Sequence, residues 1–160
     1  MNNNNPYIIE LKIKFLKWGG IIMLKKILAP VDGSLKSMRA LRYAADMAEN
    51  LSADLEVLNV QRLKDVTIVE PISWEAPVLK ERAEKVFSLA REALEGKKVN
   101  VTYKMLQGDP ADEICKYADS QKFDLIIIGA HGLSGIKRFM LGSVATKVSY
   151  HSMVPVLIVK

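Results

Sequence analysis

From Lys26 onward the apolar positions switch repeatedly between a two-residue period and a helical one. Ile27-Leu28-Ala29-Pro30-Val31 is a short apolar run that predicts a buried strand, ending at Asp32-Gly33-Ser34. Ser34 is a good N-cap, and Met38, Leu41, Ala45 and Ala48 then recur at helical spacing. Leu55–Val60 predicts a second strand. Residues 61–77 carry two prolines and little periodicity, and read as a long loop. Leu79, Ala83, Val86, Phe87, Ala90 and Leu94 mark a second helix that closes near Gly96, and residues 99–106 alternate as a third strand. Asp109-Pro110 is a clean helix start, with Asp as cap and Pro at the first helical position. Ala111, Ile114, Cys115 and Ala118 form that helix's buried face. Leu125–Ile128, rich in β-branched residues, predicts a strand buried on both sides. Val144, Ala145 and Val148 line a last helix, and residues 154–159 form a last strand.

Strands alternating with helices imply an α/β fold, an open five-stranded parallel sheet with helices on both faces. Ligands of such sheets bind beyond the carboxyl ends of the strands, where the winding direction reverses. A 2-1-3-4-5-like layout is expected, with the first strand and Leu125–Ile128 flanking the crevice, so that Asp32 and Gly129 face each other across it. One domain, residues 23–160, accounts for the pattern. Residues 1–22 differ from it: after a run of asparagines, Ile9, Leu11, Ile13 and Phe15 alternate with Glu10, Lys12 and Lys14. Those charges interrupt any signal-peptide core. Met23 reads as a natural start, and residues 1–22 as an N-terminal extension arising from a start-site miscall.

Composition narrows the function classes. With 49% apolar and 26% charged residues the chain has the balance of a soluble globular domain. A net charge of +5, with basic residues dispersed among acidic ones, favours small anions over nucleic acid. The single cysteine, Cys115, allows no internal disulfide and makes a cytoplasmic location the default. No apolar run is long enough to span a bilayer, so no stable membrane association is expected.

The chemistry concentrates between Asp124 and Ser143, DLIIIGAHGLSGIKRFMLGS. Glycines at a strand's carboxyl end admit close approach of a ligand, and a helix start offers unpaired N–H groups and a positive dipole end. Strand, glycine turn, loop and Gly-Ser at a helix start together form a phosphate cradle. Neither G-x-x-x-x-G-K-[ST] nor a G-x-G-x-x-G after the first strand is present. The spacing Gly-x2-Gly-x9-Gly-Ser, at Gly129, Gly132, Gly142 and Ser143, resembles the nucleotide-binding signature of the universal stress protein family. Residues 27–34 look like that family's first strand and turn, and residues 154–159 like its last strand. The resemblance covers residues 23–160 and is to the ATP-binding subgroup.

The resemblance implies a small cytoplasmic ATP-binding protein, a nucleotide-responsive dimeric switch in stress adaptation with at most slow hydrolysis. Pro30, Val31, Asp32 and Val60 would lie against adenine and Gly129 beneath the ribose. Gly132, Gly142, Ser143 and Val144 would meet the phosphates. Relatives often carry Ser or Thr where this chain has Ala145, which removes one hydroxyl contact worth about 1 kcal/mol. Mg²⁺ or Mn²⁺ would be held mainly by the phosphates. A homodimer through the last strand is implied, together with protein partners the sequence does not name. Two alternatives stand beside this reading: a slow ATPase or other nucleotide-handling enzyme using His131 or Asp32, and a nucleotide-free dimerisation scaffold.

The remaining residues read more plainly. His131 lies in the signature loop within reach of a pairing with Asp32, yet no dedicated catalytic base stands out. His151 suits a helix end, where a cation meets the dipole. Cys115 is a small core residue. Lys137 and Arg138 are either phosphate contacts or a solvated turn. Phe139-Met140-Leu141 either folds onto the core or forms part of a partner surface.

Overall fold

The computed structural model describes residues 24–62, 75–132 and 141–160. Its elements in chain order are β1 (Lys26–Pro30), α1 (Leu35–Leu51), β2 (Asp54–Gln61), α2 (Glu75–Ala93), β3 (Val101–Gln107), α3 (Pro110–Ser120), β4 (Leu125–Gly129), α4 (Ser143–His151) and β5 (Val156–Val159). All strand pairings are parallel, in the order β3-β2-β1-β4-β5.

Two small apolar cores sandwich the sheet, and the period of two in its strands assigns residues between them. Ile27, Ala29, Val57, Leu125 and Ile127 face α1 and α2. Leu28, Leu58, Ile126 and Ile128 face α3 and α4. Helix α1 meets the sheet through Ala40, Ala44, Ala45 and Ala48, all fully buried. Such small side chains let its backbone lie close to the strands. At the opposite end from the crevice, the Asp124 carboxylate accepts from the backbone N–H groups of Lys25 (2.8 Å) and Lys26 (2.9 Å), pinning β4 to β1.

The strand order corrects the 2-1-3-4-5-like expectation. β3 lies at an edge outside β2, paired from Leu55↔Val101 to Gln61↔Gln107, and β1 and β4 are direct neighbours. The physical reason is polarity. Thr102, Lys104 and Gln107 alternate with half-buried residues in β3, whereas β1 and β4 are almost wholly buried. A strand exposing every second residue belongs at an edge, and one apolar on both faces belongs at the centre. Crossovers of one hand place α1 and α2 on one face as the chain winds outward. They place α3 and α4 on the other after it returns to β4. The reversal therefore falls between β1 and β4, the two strands expected to flank the crevice.

Two boundaries also differ. Pro77 belongs to the first turn of α2, where its missing N–H costs no helical bond. The last strand is shorter than expected, because residues 152–155 form the turn that precedes it. Residues 1–23, Lys137, Arg138, Phe139 and Met140 lie outside the described residues.

Candidate functional site

Beyond the carboxyl ends of β1, β2 and β4 lies a cavity of about 470 Å³. Pro30, Val31, Asp32, Val60, Gly129, Gly132, Gly142, Ser143 and Val144 all line it. Residues scattered over more than a hundred sequence positions thus share one wall system.

Asp32 continues from β1 into the turn before α1. Its carboxylate accepts from the Ser34 N–H at 3.0 Å, and its own N–H donates to the Ser37 hydroxyl at 3.3 Å. Ser34 in turn caps α1, its hydroxyl accepting from the Ser37 N–H at 3.2 Å. The turn is thereby rigidly tied to the first turn of the helix. Asp32 meets Gly132 rather than Gly129: a Cβ on Gly132 would lie 2.3 Å from Asp32 Oδ2.

The glycines have different reasons to be glycine. A Cβ on Gly129 would stand 2.9 Å from the Lys36 carbonyl oxygen and 3.1 Å from the Ser37 nitrogen, both backbone atoms of α1. Gly129 is therefore required by the approach of helix to strand, whatever else lies near it. Gly142 presses on the end of β4, where its N–H donates to the Ala130 carbonyl at 2.7 Å. That bond fixes the start of α4 against the strand end.

Helix α4 differs from α1 and α3. Ser34 caps α1, and Asp109 caps α3 by accepting from the Ala111 and Asp112 N–H groups. At α4 the cap is Gly142, which offers no side-chain hydrogen bond to the first amides of the helix. Ser143, Val144 and Ala145, whose N–H groups have no helical acceptor, all line the cavity.

Sequence reading overlooked several wall residues. Asn59 is 2% exposed, donates through Nδ2 to the Val31 carbonyl at 2.8 Å, and accepts from the Gln61 side chain. It ties β2 to the end of β1 that carries Asp32. An amide at the end of the apolar run Val57-Leu58 was the available signal. Gln61 and Arg62 extend the wall, and Pro110 and Ile114 bring α3 to it. His131 also lines the cavity, with its Nδ1 3.3 Å from the Lys36 ammonium. Among the described residues no group of three or more His, Cys, Asp or Glu is placed to hold a metal ion.

A doubly wound parallel sheet with a glycine-lined crevice at its reversal point belongs to the class of α/β architecture that binds its ligands at that reversal. Within that class the chain belongs to the universal stress protein family, whose sequence model matches residues 23–160. The universal stress protein MJ0531 of Methanocaldococcus jannaschii is 35% identical over 95% of this chain and 94% of its own. The solved structure of MJ0577 from the same organism superposes with a TM-score of 0.72 at 30% identity, covering 87% of this chain and 97% of that one. The universal stress protein from Archaeoglobus fulgidus in complex with dAMP gives a TM-score of 0.59 at 25% identity, covering 87% of this chain and 100% of its own. Among the described residues no helix is long and apolar enough to cross a membrane.

Proposed function

We propose that this protein binds ATP in the crevice and acts as a nucleotide-responsive dimeric switch in stress adaptation, with at most slow hydrolysis. The observation that carries the reading is the uncapped start of α4, opening onto a cavity walled by the ends of β1 and β4. Unpaired N–H groups at a positive dipole end suit phosphate, and Gly132 and Gly142 line the cavity beside them. The cavity volume of about 470 Å³ falls within the usual range for small-molecule sites. The dAMP complex of the Archaeoglobus relative supports an adenine nucleotide as the ligand class.

In this reading Pro30, Val31, Asp32 and Val60 hold the base, Gly129 lies by the ribose, and Gly132, Gly142, Ser143 and Val144 take the phosphates. Mg²⁺ or Mn²⁺ would be held mainly by phosphate oxygens. His131 has its Nδ1 engaged by Lys36, an arrangement that does not suit a general base. Weak charge stabilisation without such a base fits slow turnover at most.

Denaturing extraction of the purified protein, with mass identification of what is released, tests the proposal. Recovered ATP is the expected result. A blank extract, followed by no binding of added ATP and Mg²⁺, would leave the glycines as turn residues and the chain as a scaffold.

A further inference from the structure

Lys36 and His131 are 95 positions apart and belong to α1 and to the turn after β4. Their contact, Nζ to Nδ1 at 3.3 Å, has a chemical consequence. An ammonium only donates, so the ring nitrogen it meets must accept. With Nδ1 as acceptor, the ring carries its proton on Nε2. That Nε2 is buried and has no hydrogen-bond partner among the described residues. A buried donor left unpaired is costly, and native structures satisfy nearly all of them. His131 lines the same cavity as Gly132, Gly142 and Ser143.

We propose that the Lys36–His131 pair is a phosphate-recognising device, in which Lys36 sets the ring and His131 Nε2–H donates to an anionic oxygen of the bound nucleotide. This rests on the nucleotide reading above and adds to it two side chains, Lys36 and His131, that are not among the signature glycines and serine. The local charges favour a phosphate over a ribose hydroxyl. Lys36 supplies a full positive charge beside the ring, and the start of α4 adds a partial one to the same cavity. The neighbouring anion, Asp32, already accepts from the Ser34 N–H. Lys36 is a positioning residue for the imidazole, and His131 is the binding one.

The chain has two histidines, His131 and His151, so ring-nitrogen NMR of ¹⁵N-histidine-labelled protein resolves each. His131 is expected as the Nε2–H tautomer. Adding ATP should shift its Nε2 together with the Ser143 and Val144 amides, and adenosine should leave Nε2 in place. Lys36→Met should relax the tautomer preference, which a purely structural lysine would not do. His131→Phe keeps the ring's shape and should weaken ATP by about tenfold or more, with adenosine changed less than about twofold. Amide shifts with ATP but an unmoved Nε2, or equal losses for ATP and adenosine, would overturn the proposal and leave the nucleotide site intact. No shift anywhere would instead remove the nucleotide reading and this inference with it.

Discussion

At the scale of single residues, Gly129 and Tyr117 show how different the reasons for a side chain can be. Gly129 exists as glycine because α1 crosses the end of β4 with backbone against backbone. Gly129→Ala should force the helix outward and destabilise the fold by about 1–3 kcal/mol. Thermal denaturation would register this as a Tm lower by about 2–4 °C per kcal/mol in a domain of this size. Gly132 is less constrained, since a Cβ there meets the tip of the Asp32 side chain and not backbone. Gly132→Ala should therefore lower Tm less than Gly129→Ala does and impair ligand binding. Tyr117 lies at the other end of the sheet. Its hydroxyl donates to Glu56 Oε1 at 2.6 Å. Burial, and then the Glu56 carboxylate, push the hydroxyl up to about 12. A phenol whose folded pKa exceeds its unfolded value of ~10 stabilises the fold below pH ~10 and loses that contribution as pH rises toward 12. Denaturant titrations across that window should show a shallower fall for Tyr117→Phe than for the parent, because the variant has no such proton to lose.

At the scale of elements, the helices divide by how their first turns are satisfied. Ser34 and Asp109 are caps, and replacing either with Ala should cost about 1 kcal/mol. Helix α4 has only glycine at its start, so its first amides should respond to ligand instead. Hydrogen exchange of the Ser143, Val144 and Ala145 amides is expected to slow on saturation with ATP. At a hundredfold excess over Kd the accompanying stabilisation is about 2.7 kcal/mol. Unchanged exchange in protein that demonstrably binds nucleotide would show that the phosphates lie elsewhere. These capped starts were legible from sequence because the cap, the proline and the apolar stripe are all local. So was the adjacency of the crevice glycines. The strand order was misjudged although its signal was present in the Thr102 and Lys104 alternation, which marks an edge. The Lys36–His131 contact and the Asn59 tie to Val31 were not legible, because each joins side chains that only the completed sheet brings together.

At the scale of the molecule, β5 is an edge strand among the described residues, and an edge carries backbone groups that no neighbouring strand pairs. The Pro155 carbonyl accepts from Ile126 and the Val159 carbonyl from Ala130, so by the two-residue period the backbone of Val156 and Ile158 faces outward. Tyr150 and Met153, 83% and 87% exposed, stand just before this edge. A homodimer formed by pairing β5 with its copy would cover it. Val156→Pro removes an outward N–H and no ladder bond, and it should convert a dimer into a monomer in sedimentation equilibrium while circular dichroism is kept. A wild-type chain that sediments as a monomer at micromolar concentration would exclude the dimer.

The hydrogen bond from Gly142 to Ala130 has a further consequence, for how this site can be altered. The chain departs after Gly132 and is fastened again at Gly142 to the very strand it left. Closure is therefore secured by the two ends, and lengthening what lies between them adds only a slowly growing entropy term. An insertion between residues 132 and 141 is therefore expected to leave the strand end and the helix start in their mutual placement, with the Tm close to the parent's.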